Sequence, residues 1–266
     1  MNQQTSKGTA VVTGASAGLG KIYATRLAER GYDLILVARR GDRLTALAQT
    51  LNASFGAEIR IVVADLAAPK DLGSVVKIVA ADSSITLLVN NAGTSTLAPL
   101  ALLSADQIDA MTGVNVTALA RLSHAVLPHF KARNSGTLVN IGSVLGFHTF
   151  PFSGAYSGTK AYVMNFTRSL QEELAETNIV VQLVMPAATA TDIWELSGVP
   201  VSNLDPATVM TAENCVDAAL AGLDMGERIT FPSVENADLW IAYDNARFAL
   251  RQAAQSGKAA SRYNIA

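Results

Sequence analysis

Tyr156 and Lys160 stand four residues apart in "GAYSGTKAY", Gly154 to Tyr162, a stretch of otherwise helical composition. At that spacing a phenol and an ammonium share one helix face and can act on one target. A free phenol titrates near about 10, and an adjacent ammonium favours its phenolate, so the pair is suited to giving and taking a proton. Tyr162 is the competing phenol, but it lies only two residues from Lys160, round the helix from it, and reads as a packing residue. Gly158 sits between the pair, where glycine costs a helix about 1 kcal/mol relative to alanine. Room for the close approach of a neighbouring helix or a ligand is a reason for it to be there.

The elements that must position this pair are legible as an alternation. "TAVVTG", "DLILVAR", "EIRIVVADL", "ITLLVNNAG", "GTLVNIGS" and "IVVQLVMP" are β-branched or leucine-rich runs without polar alternation, as expected of parallel strands buried on both faces. "RITFPS" continues the series. Helical composition fills the intervals at residues 19–30, 42–55, 70–81, 105–133, 155–177 and 212–225. Strands alternating with helices imply right-handed crossovers and a doubly wound α/β sheet with helices on both faces, a Rossmann-like fold. No linker-like break divides the chain, so a single domain over 1–266 is expected. A further helical segment, "ADLWIAYDNARFALRQAAQ", precedes a polar and loosely ordered tail at 256–266.

Composition narrows the function. Half of the 266 residues are hydrophobic and 16% are charged, which suits a large core. Twenty Lys and Arg against 22 Asp and Glu give no basic field for nucleic acid. Cys215 is the single cysteine, and His124, His129 and His148 come without a cysteine cluster, so no metal is expected. The polar start "MNQQTSKGTAVVTG" has no signal-peptide core and no long apolar stretch follows, so a cytoplasmic protein without membrane attachment is expected.

The first strand runs into "TGASAGLG", which places Gly14, Ser16, Gly18, Leu19 and Gly20 where the first helix begins. Glycines there let backbone N–H groups and the positive helix end approach a pyrophosphate that side chains would obstruct. Position, more than spacing, makes this a dinucleotide loop, because the spacing differs from G-x-G-x-x-G. The second strand ends at Ala38, where an acidic residue would bind the adenosine ribose of NAD, and Arg39 and Arg40 follow. Guanidinium groups grip a 2′-phosphate, so NADP(H) is favoured over NAD(H).

With these residues in hand, the chain resembles the classical short-chain dehydrogenases/reductases (SDR family) from about Gly8 to Gly226. The resemblance rests on "TGASAGLG", Asp65 in "ADL", "NNAG" at Asn90 to Gly93, Asn115 in "VNV", Ser143 in "IGS", and "YSGTK". It implies that Tyr156 is the acid/base, that Lys160 binds the nicotinamide ribose, that Ser143 orients the carbonyl, and that Asn115 holds a water in a proton relay. It puts Asp65 and Leu66 near the adenine, and Asn91, Ala92 and Gly93 along the coenzyme. After the sixth strand the family has Pro-Gly and then a threonine, which this chain matches with Pro186, Thr189 and Thr191, although Ala187 stands for the glycine. The basic residue that some NADP(H)-using members carry in the glycine loop is Ala17 here.

On the substrate side, Phe147, His148, Phe150 and Phe152 lie between Ser143 and Tyr156, and Leu145 and Phe150 are read as pocket wall. Ser95, just past "NNAG", is placed in the same pocket. The resemblance makes residues 187–211 a variable substrate loop, with Trp194 closing over the ligand, and suggests that 105–133 and 155–177 pair across a two-fold axis as a homodimer or homotetramer. The implied activity is NADPH-dependent, reversible reduction of a ketone or aldehyde to an alcohol. A catalytically silent NADP(H)-binding sensor is the alternative, and the complete set of four catalytic residues weighs against it.

Overall fold

A computed structural model describes residues 7–265; the polar start discussed above falls partly outside them, at 1–6. Seven parallel strands form one sheet: β1 (Thr9–Thr13), β2 (Asp33–Ala38), β3 (Ile59–Val63), β4 (Ile85–Asn90), β5 (Gly136–Ile141), β6 (Ile179–Val184) and the short β7 (Ile229–Thr230). Their spatial order is β3-β2-β1-β4-β5-β6-β7. The order reverses between β1 and β4, which leaves a crevice at their carboxyl ends, where open α/β sheets bind ligands.

The helices are α1 (Gly18–Glu29), α2 (Gly41–Phe55), α3 (Pro69–Ala81), α4 (Ala105–Thr112), α5 (Leu119–Arg133), α6 (Gly154–Glu173), α7 (Ile193–Ser197), α8 (Ala212–Asp224) and α9 (Asp238–Ala254). Successive strand residues point to opposite faces, and both faces are apolar. Ala10, Val12, Leu34, Leu36, Leu87 and Val89 pack in one core with Tyr23 and Leu27 of α1 and Val216 and Leu220 of α8. Val11, Ile35, Val37 and Leu88 pack in the other with Val75 of α3, Leu122 and Phe130 of α5, and Leu170 of α6. Burial on both sides is the reason the strand sequences show no polar alternation.

The long helical stretch expected at 105–133 is interrupted. Gly113–Ala118 is a π-helical turn between α4 and α5, and Asn115 lies within it. The turn reads "GVNVTA", glycine followed mostly by weak helix formers within the longer helical stretch.

Where one domain is expected, contacts group the chain into two compact units, Met1–Pro232 and Ser233–Ala266. The sheet and all residues discussed below belong to the first. In the second, α9 has no buried residue, so it brings no core of its own, and a short 3-10 turn at Ser261–Tyr263 lies in the tail.

Candidate active site

The glycine loop is built by close backbone approach. Gly14 (φ +68°) and Gly18 (φ +51°) adopt left-handed conformations that favour glycine. A Cβ on Gly14 would lie 2.8 Å from Asn91 Nδ2, one on Gly18 3.1 Å from Thr191 Cγ2, and one on Gly20 would collide with the Gly14 carbonyl. The loop therefore exposes backbone at the start of α1, with the Asn91 and Thr191 segments drawn against it. A cradle that side chains would fill, at a helix N-terminus in the sheet's crevice, fits a dinucleotide.

Thr13, which the sequence did not single out, ties β1 to "NNAG". Its Oγ1 donates to the Val89 carbonyl (3.2 Å) and accepts from the N–H groups of Asn91 and Ala92, both at 3.0 Å. Asn91 Nδ2 returns a bond to the Thr13 carbonyl at 2.9 Å. Threonine at the end of a buried strand was a usable signal. Asp65 Oδ1 accepts from the Ala67 N–H, which folds the turn beyond β3, and Leu66 is buried there. Arg39 and Arg40 are both exposed at the end of β2. Arg40 is engaged, with Nε donating to Ser16 Oγ at 3.2 Å and Nη1 to Asp192 Oδ2 at 3.2 Å. Arg39 has no hydrogen bond or ion pair among the described residues.

The four expected catalytic residues converge at the carboxyl ends of β4 and β5. Lys160 is 5% exposed; its Nζ donates to the Ile141 carbonyl at 2.8 Å and lies 5.8 Å from the Tyr156 ring centre. Ser143, two residues past β5, accepts from the Leu145 N–H at 3.2 Å. Asn115 is held at three points: Oδ1 accepts from the Thr94 N–H (2.9 Å), and Nδ2 donates to the Thr94 carbonyl (2.9 Å) and to Thr159 Oγ1 (3.0 Å). Thr159 in turn donates to the Tyr156 carbonyl at 2.7 Å, so the π turn is bonded to the helix of the tyrosine through a residue that sequence reasoning passed over. A Cβ on Gly93 would lie 3.3 Å from Asn115 Oδ1 and 3.9 Å from Lys160 Nζ, and its absence leaves the space between them open.

Electrostatics depart from the expected depression of the tyrosine. Burial pushes the Tyr156 phenol up to about 12, and the Ser143 hydroxyl only partly offsets this. Burial also pushes the Lys160 ammonium down to about 8. Desolvation is the largest cause of both shifts, and the ammonium bonds to a carbonyl instead of the phenol.

The other expectations divide. Tyr162 stacks on Phe166 (5.6 Å, 13° between planes), away from the site. Outside its own helix backbone, a Cβ on Gly158 would meet no atom of the described residues within 4 Å, so the room it was expected to give is not used by them. Ser95 is buried and Leu145 half-buried near Ser143, but Phe150 is 57% exposed and packs edge-on against His148. Phe147 packs edge-on against Phe231, beyond β7. Trp194 is held by a bond from Nε1 to the Thr189 carbonyl (2.8 Å), which fixes the ring against the loop. Pro186 and Thr189 are buried and Thr191 is half-buried over Gly18. Ala187 is exposed, so nothing at that position demands glycine.

A family model described as short chain dehydrogenase matches residues 8–198. The chain belongs to the short-chain dehydrogenase family. Like other members it is an NAD(P)-dependent oxidoreductase, and it is similar to solved family structures over nearly its whole length. A short-chain dehydrogenase from Sphingobium yanoikuyae in complex with NADPH is 41% identical, with a TM-score of 0.92 over 96% of this chain and 100% of that one. A bulky-bulky ketone specific alcohol dehydrogenase from Comamonas testosteroni is 38% identical, with a TM-score of 0.89 over 97% of this chain and 99% of that one. Very-long-chain 3-oxoacyl-CoA reductase of Anas platyrhynchos is 33% identical over 76% of this chain; the match spans 66% of that longer protein. Among the described residues, no helix of this short-chain dehydrogenase is long and apolar enough to cross a membrane.

Proposed function

We propose that the protein is an NADPH-dependent carbonyl reductase, equally an alcohol dehydrogenase in reverse, with Tyr156 as acid/base and a ketone bearing apolar groups as substrate. The observation that carries this reading is the buried Lys160 ammonium, bonded to the Ile141 carbonyl at the end of β5 and 5.8 Å from the Tyr156 ring centre, with Ser143 two residues past the same strand. Both named relatives above whose substrates are stated act on ketones, which favours a ketone over an aldehyde.

When bound, the coenzyme supplies or accepts the hydride at the carbonyl carbon. The chain's own residues manage the oxygen. Ser143 donates a hydrogen bond to it and Tyr156 delivers the proton, so charge developing there meets a fixed donor and a fixed acid. A phenol held near 12 is fully protonated at neutral pH, as reduction requires. Alcohol oxidation needs the phenolate, which the Lys160 charge favours. Asn115, pinned between Thr94 and Thr159, keeps the π turn open beside Lys160, where a water can relay protons. Gly14, Gly18, Gly20, Asn91 and Thr191 would cradle the pyrophosphate and nicotinamide, Lys160 the ribose, and Arg39 with Arg40 the 2′-phosphate. Pairing of copies through α5 and α6 gives Gly158 a neighbour that the single chain lacks. The test is a panel of ketones and aldehydes assayed by NADPH oxidation with NADH in parallel: turnover of ketones with NADPH supports the reading, and coenzyme binding without turnover of any carbonyl supports a sensor.

A further inference from the structure

Asp192 is the first residue beyond the Thr191 contact with Gly18, and its carboxylate crosses to the end of β2. Oδ2 accepts from Arg40 Nη1 at 3.2 Å and from Arg43 Nη1 at 3.4 Å, while Arg40 Nε holds Ser16 in the glycine loop. A groove of about 640 Å³ opens beside this contact, with Ser16, Gly18, Lys21, Arg43 and Asp192 in its wall. Cations therefore gather where the coenzyme loop meets the end of β2. The carboxylate that engages two of them comes from a segment 149 and 152 residues away in sequence.

We propose that Asp192 is a specificity-determining residue: it is a resident counter-ion on Arg40 and Arg43, which stand with Arg39 where the coenzyme's 2′-phosphate would lie, so NADP(H) must displace it from Arg40 and NAD(H) need not. This rests on the NADP(H) reading of the site. Two guanidinium groups whose N–H donors are taken by a carboxylate cannot present the same donors to a phosphate, and the two anions repel at contact distance. The exchange is cheap because these pairs are half-exposed, with Asp192 at 54% and the arginines at 43% and 51%. Displacement also unfastens α7, which begins at the next residue, so arrival of the 2′-phosphate is felt in the segment carrying Trp194.

Dissociation constants for NADPH and NADH, measured by quenching of protein fluorescence on the full-length coenzyme-free protein, test this in the wild type, Asp192→Asn and Asp192→Glu. Asp192→Asn is expected to bind NADPH about threefold tighter, the scale of one exposed ion pair, with NADH unchanged. Asp192→Glu keeps the charge and is expected to stay near wild type. If Asp192→Asn weakens both coenzymes alike, the carboxylate straps the dinucleotide and the proposal is overturned; unchanged NADPH binding overturns it as well. A wild type that binds NADH as tightly as NADPH removes the NADP(H) reading itself, a separate failure visible before any variant is made.

Discussion

Lys160 Nζ is bonded to the carbonyl of Ile141, the last residue of β5, at 2.8 Å and lies 5.8 Å from the ring of Tyr156. One buried cation thus joins the central sheet to the helix that carries Tyr156. It is held there against desolvation, which lowers its titration from 10.5 to about 8. Between those two values the unfolded chain holds a proton that the folded chain has lost, so stability rises with pH through the window. Lys160→Met has no such titration. Denaturant unfolding of both proteins, without coenzyme, from pH 7 to 10.5 is expected to show wild type gaining on the variant above pH 8, and parallel curves would contradict the burial cost.

A buried polar ladder crosses the central strands. Asn90 Nδ2 donates to Asn140 Oδ1 (2.9 Å) and Ser123 Oγ (3.0 Å), and Asn140 Nδ2 donates to Thr167 Oγ1 (2.9 Å). All four residues are at most 3% exposed. Asn140→Ala removes two buried hydrogen bonds that no solvent replaces, which costs about 2 kcal/mol. The loss is read as a lower urea midpoint with an unchanged slope.

Gly158 is helical and exposed, and a Cβ there would meet nothing within 4 Å beyond its own helix backbone among the described residues. Gly158→Ala is therefore expected to stabilise the monomer by about 1 kcal/mol, a rise of a few degrees in melting temperature. A loss of stability that depends on protein concentration would instead mean that a second copy occupies the space.

Arg39 is the cation at the end of β2 left without a counter-ion among the described residues, whereas Arg40 is shared with Ser16 and Asp192. Arg39→Ala is expected to lower the NADPH over NADH preference in kcat/KM by about tenfold, the scale of one charge-assisted contact. An unchanged ratio would move the 2′-phosphate elsewhere.

Much of this was legible in the sequence because the signals are local. Two-sided strand burial leaves unbroken apolar runs, and "TGASAGLG", "NNAG" and "YSGTK" each carry their residues within a few positions. What escaped was set by tertiary context. The run of mostly weak helix formers at Gly113–Ala118 does not say that the chain takes a π turn there, and the spacing of Thr159 does not report that its hydroxyl joins Asn115 to the Tyr156 backbone. Asp192 reaches Arg40 across 152 residues, a distance no local pattern spans. The upward shift of Tyr156 follows from burial, which spacing to Lys160 does not report.

The central claim is that Tyr156 moves the proton. Its most direct test is Tyr156→Phe, which removes one oxygen and leaves the ring in place, assayed by single-turnover ketone reduction with NADPH alongside coenzyme binding. The account predicts a rate lower by about a hundredfold or more, in the range of general-acid contributions, with NADPH affinity within about twofold of wild type. A variant that reduces the ketone at the wild-type rate would contradict it.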